Sequence, residues 1–254
     1  SKIPDSGNPD FKDVVDLLHE IENFSFLAFG VYGRNSTYYQ TQAMTIAHHL
    51  FKGFDADGRK YGISHVIKEI QQVNRSQRDV KRFAQEIASL YSERDRKGFY
   101  SWKLTKYLLY KYEKYLQEQS HENTPKIFWN SEKMHIEHIY PQNPSDQYWR
   151  SRFSDLTADQ RWILTHSIGN LLLLNRRKNA ALSSRGFDIK RSFKNFGYAA
   201  GTLSENQVAN YDEWTPTQIL DRGIILMRFI ENEWGLDFGS DTKIKGILNL
   251  EFIP

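Results

Sequence analysis

The segment MHIEHIYPQ, residues 134 to 142, sets His135, Glu137 and His138 in an apolar, strand-like run that stops at Pro141. An imidazole gains and loses its proton near neutral pH, so a histidine placed here could take a proton from water. Two amides follow, Asn170 in SIGNLLLL and Asn179 in NRRKNAALSSRGF. Singly these residues mean little, because a lone buried histidine is more often a hydrogen-bonded structural group. Glu137 and His138 are adjacent, so a regular strand points them to opposite faces. They can serve one site only if the strand twists or ends there, which Pro141 favours. Any metal must sit on histidine, carboxylate or amide oxygen, since the chain has no cysteine. Zinc through His135, His138 and His166 is one such arrangement, but its spacing fits no familiar zinc pattern.

The elements that must position these residues follow from periodicity. Up to about residue 120 the pattern is helical: Phe11, Val14, Val15, Leu18 and Ile21 form one apolar stripe, and Ile63, Val66, Ile67 and Ile70 another. Phe83, Ile87, Leu90 and Tyr91 make a third, and Leu104, Leu108, Tyr112 and Tyr115 a longer fourth, with Lys103, Lys106 and Lys114 toward solvent. Each stripe is expected to face a core. Turn residues gather at DADGRK, SERDRKG, SHENTPK and PQNPSD, and the third of these looks like a boundary. Beyond it KIFWN, MHIEHIY and SIGNLLLL read as short strands, and the segment from Asn175 as a short helix stopped at Gly186. Asn175 is the expected cap of that helix. Helix returns from Thr215 to Trp234. The expected layout is a helical scaffold over 1–125, a compact core over 126–200 and a helical region over 201–254 packing back on the scaffold as one domain.

A chain of 254 residues that is 39% hydrophobic and 14% aromatic can bury a substantial core. Its net charge of +3 leaves any nucleic-acid surface to local clustering. The missing cysteines exclude disulfides, thiolate zinc and thiol nucleophiles, and suit a cytoplasmic protein. No apolar run is long enough for a membrane span. The chain opens without Met, as an excised piece would.

The order of strand with a terminal Glu-His, long loop, strand with Asn170 and helix with Asn179 resembles the ββα-metal, or HNH, nuclease core. The phrases EHIYPQ, IGNLLLL and FDIKRSF are similar to the nuclease domain at the C-terminal end of GmrSD-type modification-dependent restriction enzymes. The close match covers about residues 134–194. The resemblance implies a mainly α, α+β fold with a small ββα-metal core. It implies that His138 is the general base, that Glu137 and Asn179 hold Mg²⁺ or Mn²⁺, and that Asn170 braces the loop. Asn179 stands where the family often has His, and Glu137 where it often has Asp; oxygen coordination survives both changes. The implied partners are DNA, double-stranded phage DNA foremost, and an N-terminal sensor and nucleotide-hydrolysing domain outside this sequence.

Cations crowd around the Asn179 segment: Arg176, Arg177, Lys178, Arg185, Lys190, Arg191 and Lys194, against the single acid Asp188. Such a cluster can position a phosphate backbone without reading sequence, or it can be a solvated face. Lys190 matches a lysine of the family pattern, and Lys190, Arg177, Lys178, Arg185 and Arg191 are the expected DNA contacts. The alternative function is a non-catalytic module that grips nucleic acid on the same fold; it predicts salt-sensitive binding that survives removal of metal and of His138. RNA is a further possible substrate.

Overall fold

The computed structural model describes residues 9–93, 95, 97–120 and 133–254. The strand expected at KIFWN and most of the boundary loop SHENTPK lie outside the described residues. The chain is mainly helical with one small antiparallel sheet, an α+β arrangement among the described residues. It divides into two compact units, the first made of the described residues up to Phe83 with Glu233–Leu236, the second of Ala84–Asn232 with Asp237–Pro254.

In the first unit α1 (Pro9–Ser25) runs through a π-helical turn, Phe26–Val31, and is followed by α2 (Gln40–Lys52) and α3 (Ile63–Gln77). Gly53 ends α2 in the left-handed region at φ 77°, where an L side chain is strained and glycine is not. The contact between α1 and α3 is polar as well as apolar: Gln71 Nε2 donates to Glu20 Oε1 at 2.9 Å and Asn74 Nδ2 to Glu20 Oε2 at 2.8 Å. The stripe on α1 departs from expectation. Val15, Leu18 and Ile21 are 45, 60 and 42% exposed, because α3 meets the Glu20 side of the helix. Phe26 instead anchors the end of α1, stacked on Trp234 with ring centroids 3.6 Å apart.

Helix α4 (Val80–Ser89) carries the chain into the second unit, where α5 (Gly98–Ser101) and α6 (Thr105–Ser120) precede β1 (Met134–His138). The stretch between the strands, expected as a long loop, holds α7 (Gln147–Arg152) and α8 (Ala158–His166). Both starts are capped by local chemistry. Asp146 accepts the Tyr148 N–H at 2.9 Å, and Thr157 and Gln160 form a reciprocal box, with Thr157 N–H donating to Gln160 Oε1 at 2.8 Å. A 3₁₀ turn, Ile168–Asn170, leads into β2 (Leu171–Asn175), which pairs antiparallel with β1, His138 opposite Leu171 and Met134 opposite Asn175. Leu171 to Leu174 are all buried, so β2 reads as a continuous apolar run rather than an alternating one.

Helix α9 (Arg176–Leu182) follows β2 without a loop and packs against both strands. Asn175 Oδ1 caps it by accepting the Lys178 N–H at 2.9 Å. Then come α10 (Phe187–Ser192), α11 (Leu203–Ala209), α12 (Pro216–Trp234) and α13 (Asp241–Ile247). The sheet is too small to be stable alone, and the surrounding helices supply its core. Trp149, Trp214, Tyr140, Tyr198, Phe153 and Phe187 are all at least 98% buried around it. The tyrosines of α6 join this packing: Tyr112 is buried and donates to Gln207 Oε1 at 2.8 Å.

Candidate active site

A cleft of about 490 Å³ opens in the second unit where β1 ends, and Glu137, His138 and Asn179 all line it. The strand stops at His138, three residues before Pro141, which itself lines the cleft. Gln142 and Asn143 add amides to the lining. Ser183, at the rim beyond α9, holds a positive φ of 45°, a conformation costly for a residue with a Cβ and common at functional sites.

His138 is 6% exposed, and its ring is gripped on several sides. Tyr100 lies against it with centroids 4.5 Å apart, Gln142 Nε2 is 3.4 Å from its Nδ1, and His166 Nδ1 is 3.3 Å from its Nε2. Burial, with the charges of His166, Lys190 and Lys97 adding to it, pulls its pKa down from 6.5 to about 3. Burial does the same to His166, to about 4, with help from Lys97. Both rings are therefore neutral at physiological pH, and a neutral imidazole is the form that accepts a proton.

Glu137 is 4% exposed and half engaged. Its Oε1 accepts Lys190 Nζ at 2.6 Å and Tyr198 Oη at 3.0 Å, while Oε2 has no hydrogen-bond partner among the described residues. Lys190 is wholly buried, and its ammonium also donates to the carbonyls of His138 at 2.9 Å and Ile139 at 3.0 Å. Burial pushes the carboxyl pKa up and the ammonium pKa down, and their contact opposes both shifts. The three partners of Lys190 are all acceptors, which requires the ammonium form.

This placement corrects the expectation that Lys190 meets phosphate. Its three N–H donors are already committed inside the protein, so none is left for a ligand. Lys178 needs the same correction: it is 7% exposed, pairs with the Glu205 carboxylate and donates to Gly197 O at 3.0 Å. Both lysines are internal clamps, one tying α10 to β1 and the other α9 to α11. The expected arginines remain nearer the surface in different ways. Arg177 is exposed, Arg185 folds over the Phe193 ring at 4.7 Å, and Arg191 reaches Asp212 at 3.4 Å.

Asn170 is completely buried behind the cleft and does not line it. Its Oδ1 accepts the Tyr140 N–H at 2.8 Å and the Trp214 indole N–H at 3.2 Å. Its Nδ2 donates to the carbonyls of Tyr140 and Thr165, each at 2.9 Å. The side chain thus fixes the backbone just after His138. Arg222, buried on α12, holds the same turn by donating to the Gly169 and Leu171 carbonyls at 2.8 Å each. Gly169 permits that approach, since a Cβ there would overlap the Ile219 carbonyl oxygen.

Sequence reasoning missed Arg222 and gave His166 only a zinc role; a helix C-terminus four residues before Asn170 was the available sign of the latter. Among the described residues His135, His138 and His166 do not form a metal-ligating group, and no three His, Asp or Glu side chains gather ligand atoms at the cleft. His135 is half-buried and does not line it. The oxygens on offer there are the free Oε2 of Glu137 and the amide of Asn179, which makes no side-chain hydrogen bond among the described residues. That donor set fits a hard divalent cation.

A small helical domain with a buried neutral histidine, a half-free carboxylate and an open amide on one cleft has the parts of a hydrolase. Residues 80–229 match the family of GmrSD restriction endonucleases, C-terminal domain, and the chain belongs to that family. No curated protein and no solved structure matches it. Membership in a family of restriction endonucleases supports a nuclease function in restriction. No described helix is long and apolar enough to cross a membrane.

Proposed function

We propose that the domain is a divalent-metal-dependent DNA endonuclease or nickase of the ββα-metal, HNH type, acting in restriction of phage DNA. The observation that carries this reading is the convergence of Glu137, His138 and Asn179 on one cleft, from a strand end and the helix that packs against it. His138, held neutral by burial, takes the proton of the attacking water. The water oxygen then bonds to phosphorus, and the bond from phosphorus to the leaving alcohol breaks. Glu137 Oε2 and the Asn179 amide would hold Mg²⁺ or Mn²⁺, which when bound stabilises negative charge on the phosphate oxygens. Asn170 and Lys190 fix the backbone on which Glu137 and His138 sit.

A module that only grips nucleic acid is less well supported, because two of its expected cations are buried and paired. Plasmid nicking with Mg²⁺ or Mn²⁺ decides between the two. His138→Ala and Asn179→Ala should each lower the rate by ~10²-fold or more. Cleavage that persists unchanged in both variants, in a preparation free of contaminating nuclease, sinks the site assignment.

A further inference from the structure

A general base needs more than a neutral ring: the nitrogen with the lone pair must be the one that faces the substrate. The two nitrogens of His138 have different surroundings. Nδ1 lies 3.4 Å from Gln142, a residue of the cleft wall, and Nε2 lies 3.3 Å from Nδ1 of His166. His166 is 4% exposed and does not line the cleft, so it stands behind the base.

Two imidazole nitrogens 3.3 Å apart make a hydrogen bond only if one carries a proton and the other does not. Nδ1, on the Gln142 side, can take a proton from water only if its lone pair is bare, so the ring proton sits on Nε2, and the water replaces the long 3.4 Å contact with Gln142. That N–H then points at His166 Nδ1, which must be bare.

We propose that His166 is a positioning residue that accepts the Nε2–H of His138 and so keeps the lone pair of Nδ1 turned to the cleft. When water gives its proton to Nδ1, the resulting imidazolium keeps the same Nε2–H bond to His166, while the leaving oxygen, on the opposite side of phosphorus in an in-line displacement, takes its proton from solvent. His166 thus has the orienting part that a buried carboxylate plays in a Ser-His-Asp triad, filled here by a neutral ring that adds no charge. The segment around it is built to hold it still. The His166 carbonyl accepts Tyr91 Oη at 3.1 Å, the Trp162 ring packs edge-on at 5.5 Å, and Asn170 Nδ2 is bonded to the neighbouring Thr165 carbonyl at 2.9 Å. This inference rests on the nuclease reading of the cleft.

The test uses two substitutions with opposite expectations, read by plasmid nicking with Mn²⁺ and by nitrogen-15 NMR of the His138 ring without metal. His166→Phe fills the space but offers no acceptor, and should lower kcat by ~10²-fold with little change in the KM for DNA. Its NMR spectrum should lose the single tautomer protonated at Nε2. His166→Asn can set an amide oxygen near the former Nδ1, and should restore cleavage to within about tenfold of the parent and restore the tautomer.

Full activity in His166→Phe, or a parent His138 ring protonated at Nδ1, overturns the assignment. So does His166→Asn, if it is folded by circular dichroism and yet as impaired as His166→Phe. Should His166→Phe fail to fold, the parent tautomer and the Asn variant still decide. The nuclease reading fails separately, by cleavage that survives His138→Ala, while loss in His138→Ala with none in His166→Phe removes the positioning role alone.

Discussion

The groove of the first unit, about 580 Å³, is walled by Leu17, Ile21, Phe24, Met44 and Leu50, whereas the cleft of the second, about 490 Å³, is walled by Glu137, His138, Gln142, Asn143 and Asn179. Similar volumes hold opposite chemistry. No described residue lining the groove is charged, and exposed Ile21 and Met44 cost little individually because exposed apolar side chains are normal. At the cleft, burying Glu137 and Lys190 together is costly unless each meets the other, and the structure pairs them, fills every donor of Lys190 and leaves only Glu137 Oε2 without a partner among the described residues. The difference teaches that a reactive site is marked by desolvated polar groups held in place, and that size alone does not find it.

The comparison breaks most readily at the buried ion pair. Lys190→Met should destabilise the fold by about 3–5 kcal/mol, because the Glu137 carboxylate is left buried without its cation. The check is urea unfolding. A variant of unchanged stability that has lost DNA affinity instead would restore Lys190 to the phosphate-contact role.

Acid should expose the same contrast more gently. The folded pKa values of His138 and His166, about 3 and about 4, lie below the ordinary 6.5 because burial penalises the charged rings. Between those limits the unfolded chain binds more protons than the folded one, so stability declines as pH falls through 6.5 and goes on declining toward 4. In EDTA the urea midpoint should therefore drop from pH 7.5 to pH 5, and His166→Asn, with one ring fewer, should show a shallower drop. Equal slopes in parent and variant would mean that His166 is solvated and titrates normally.

The smallest effect belongs to the groove. Ile21→Ser and Met44→Ser, at positions 42 and 63% exposed, should change stability by about 0.5 kcal/mol or less and leave nicking untouched. A large loss of cleavage in either would tie the groove to the chemistry.

Much of this protein was legible in adjacent residues. The end of β1 before Pro141, the Asn175 cap and the helix from Thr215 are local events, decided by φ restrictions and hydrogen bonds within a few residues. The Thr157 and Gln160 box was equally local, and a reading that looked for it would have found α8 inside the presumed loop. The family phrases fixed the order of Glu137, His138, Asn170 and Asn179 along the chain.

Other features were beyond any local reading. Nothing in the spelling RRKNAAL or FDIKRS separates Lys178 and Lys190, both buried, from Arg177, exposed. The same helical periodicity put Val15, Leu18 and Ile21 on one stripe without saying that α3 would choose the other side of α1. Burial depends on which distant element arrives: Tyr198 and Lys190 reach Glu137 across more than fifty residues, and His166 reaches His138 across 28. Sequence determined which groups could do chemistry and roughly where the chain turns; tertiary packing decided which charges lost their water, and that loss sets each group's protonation and so its role.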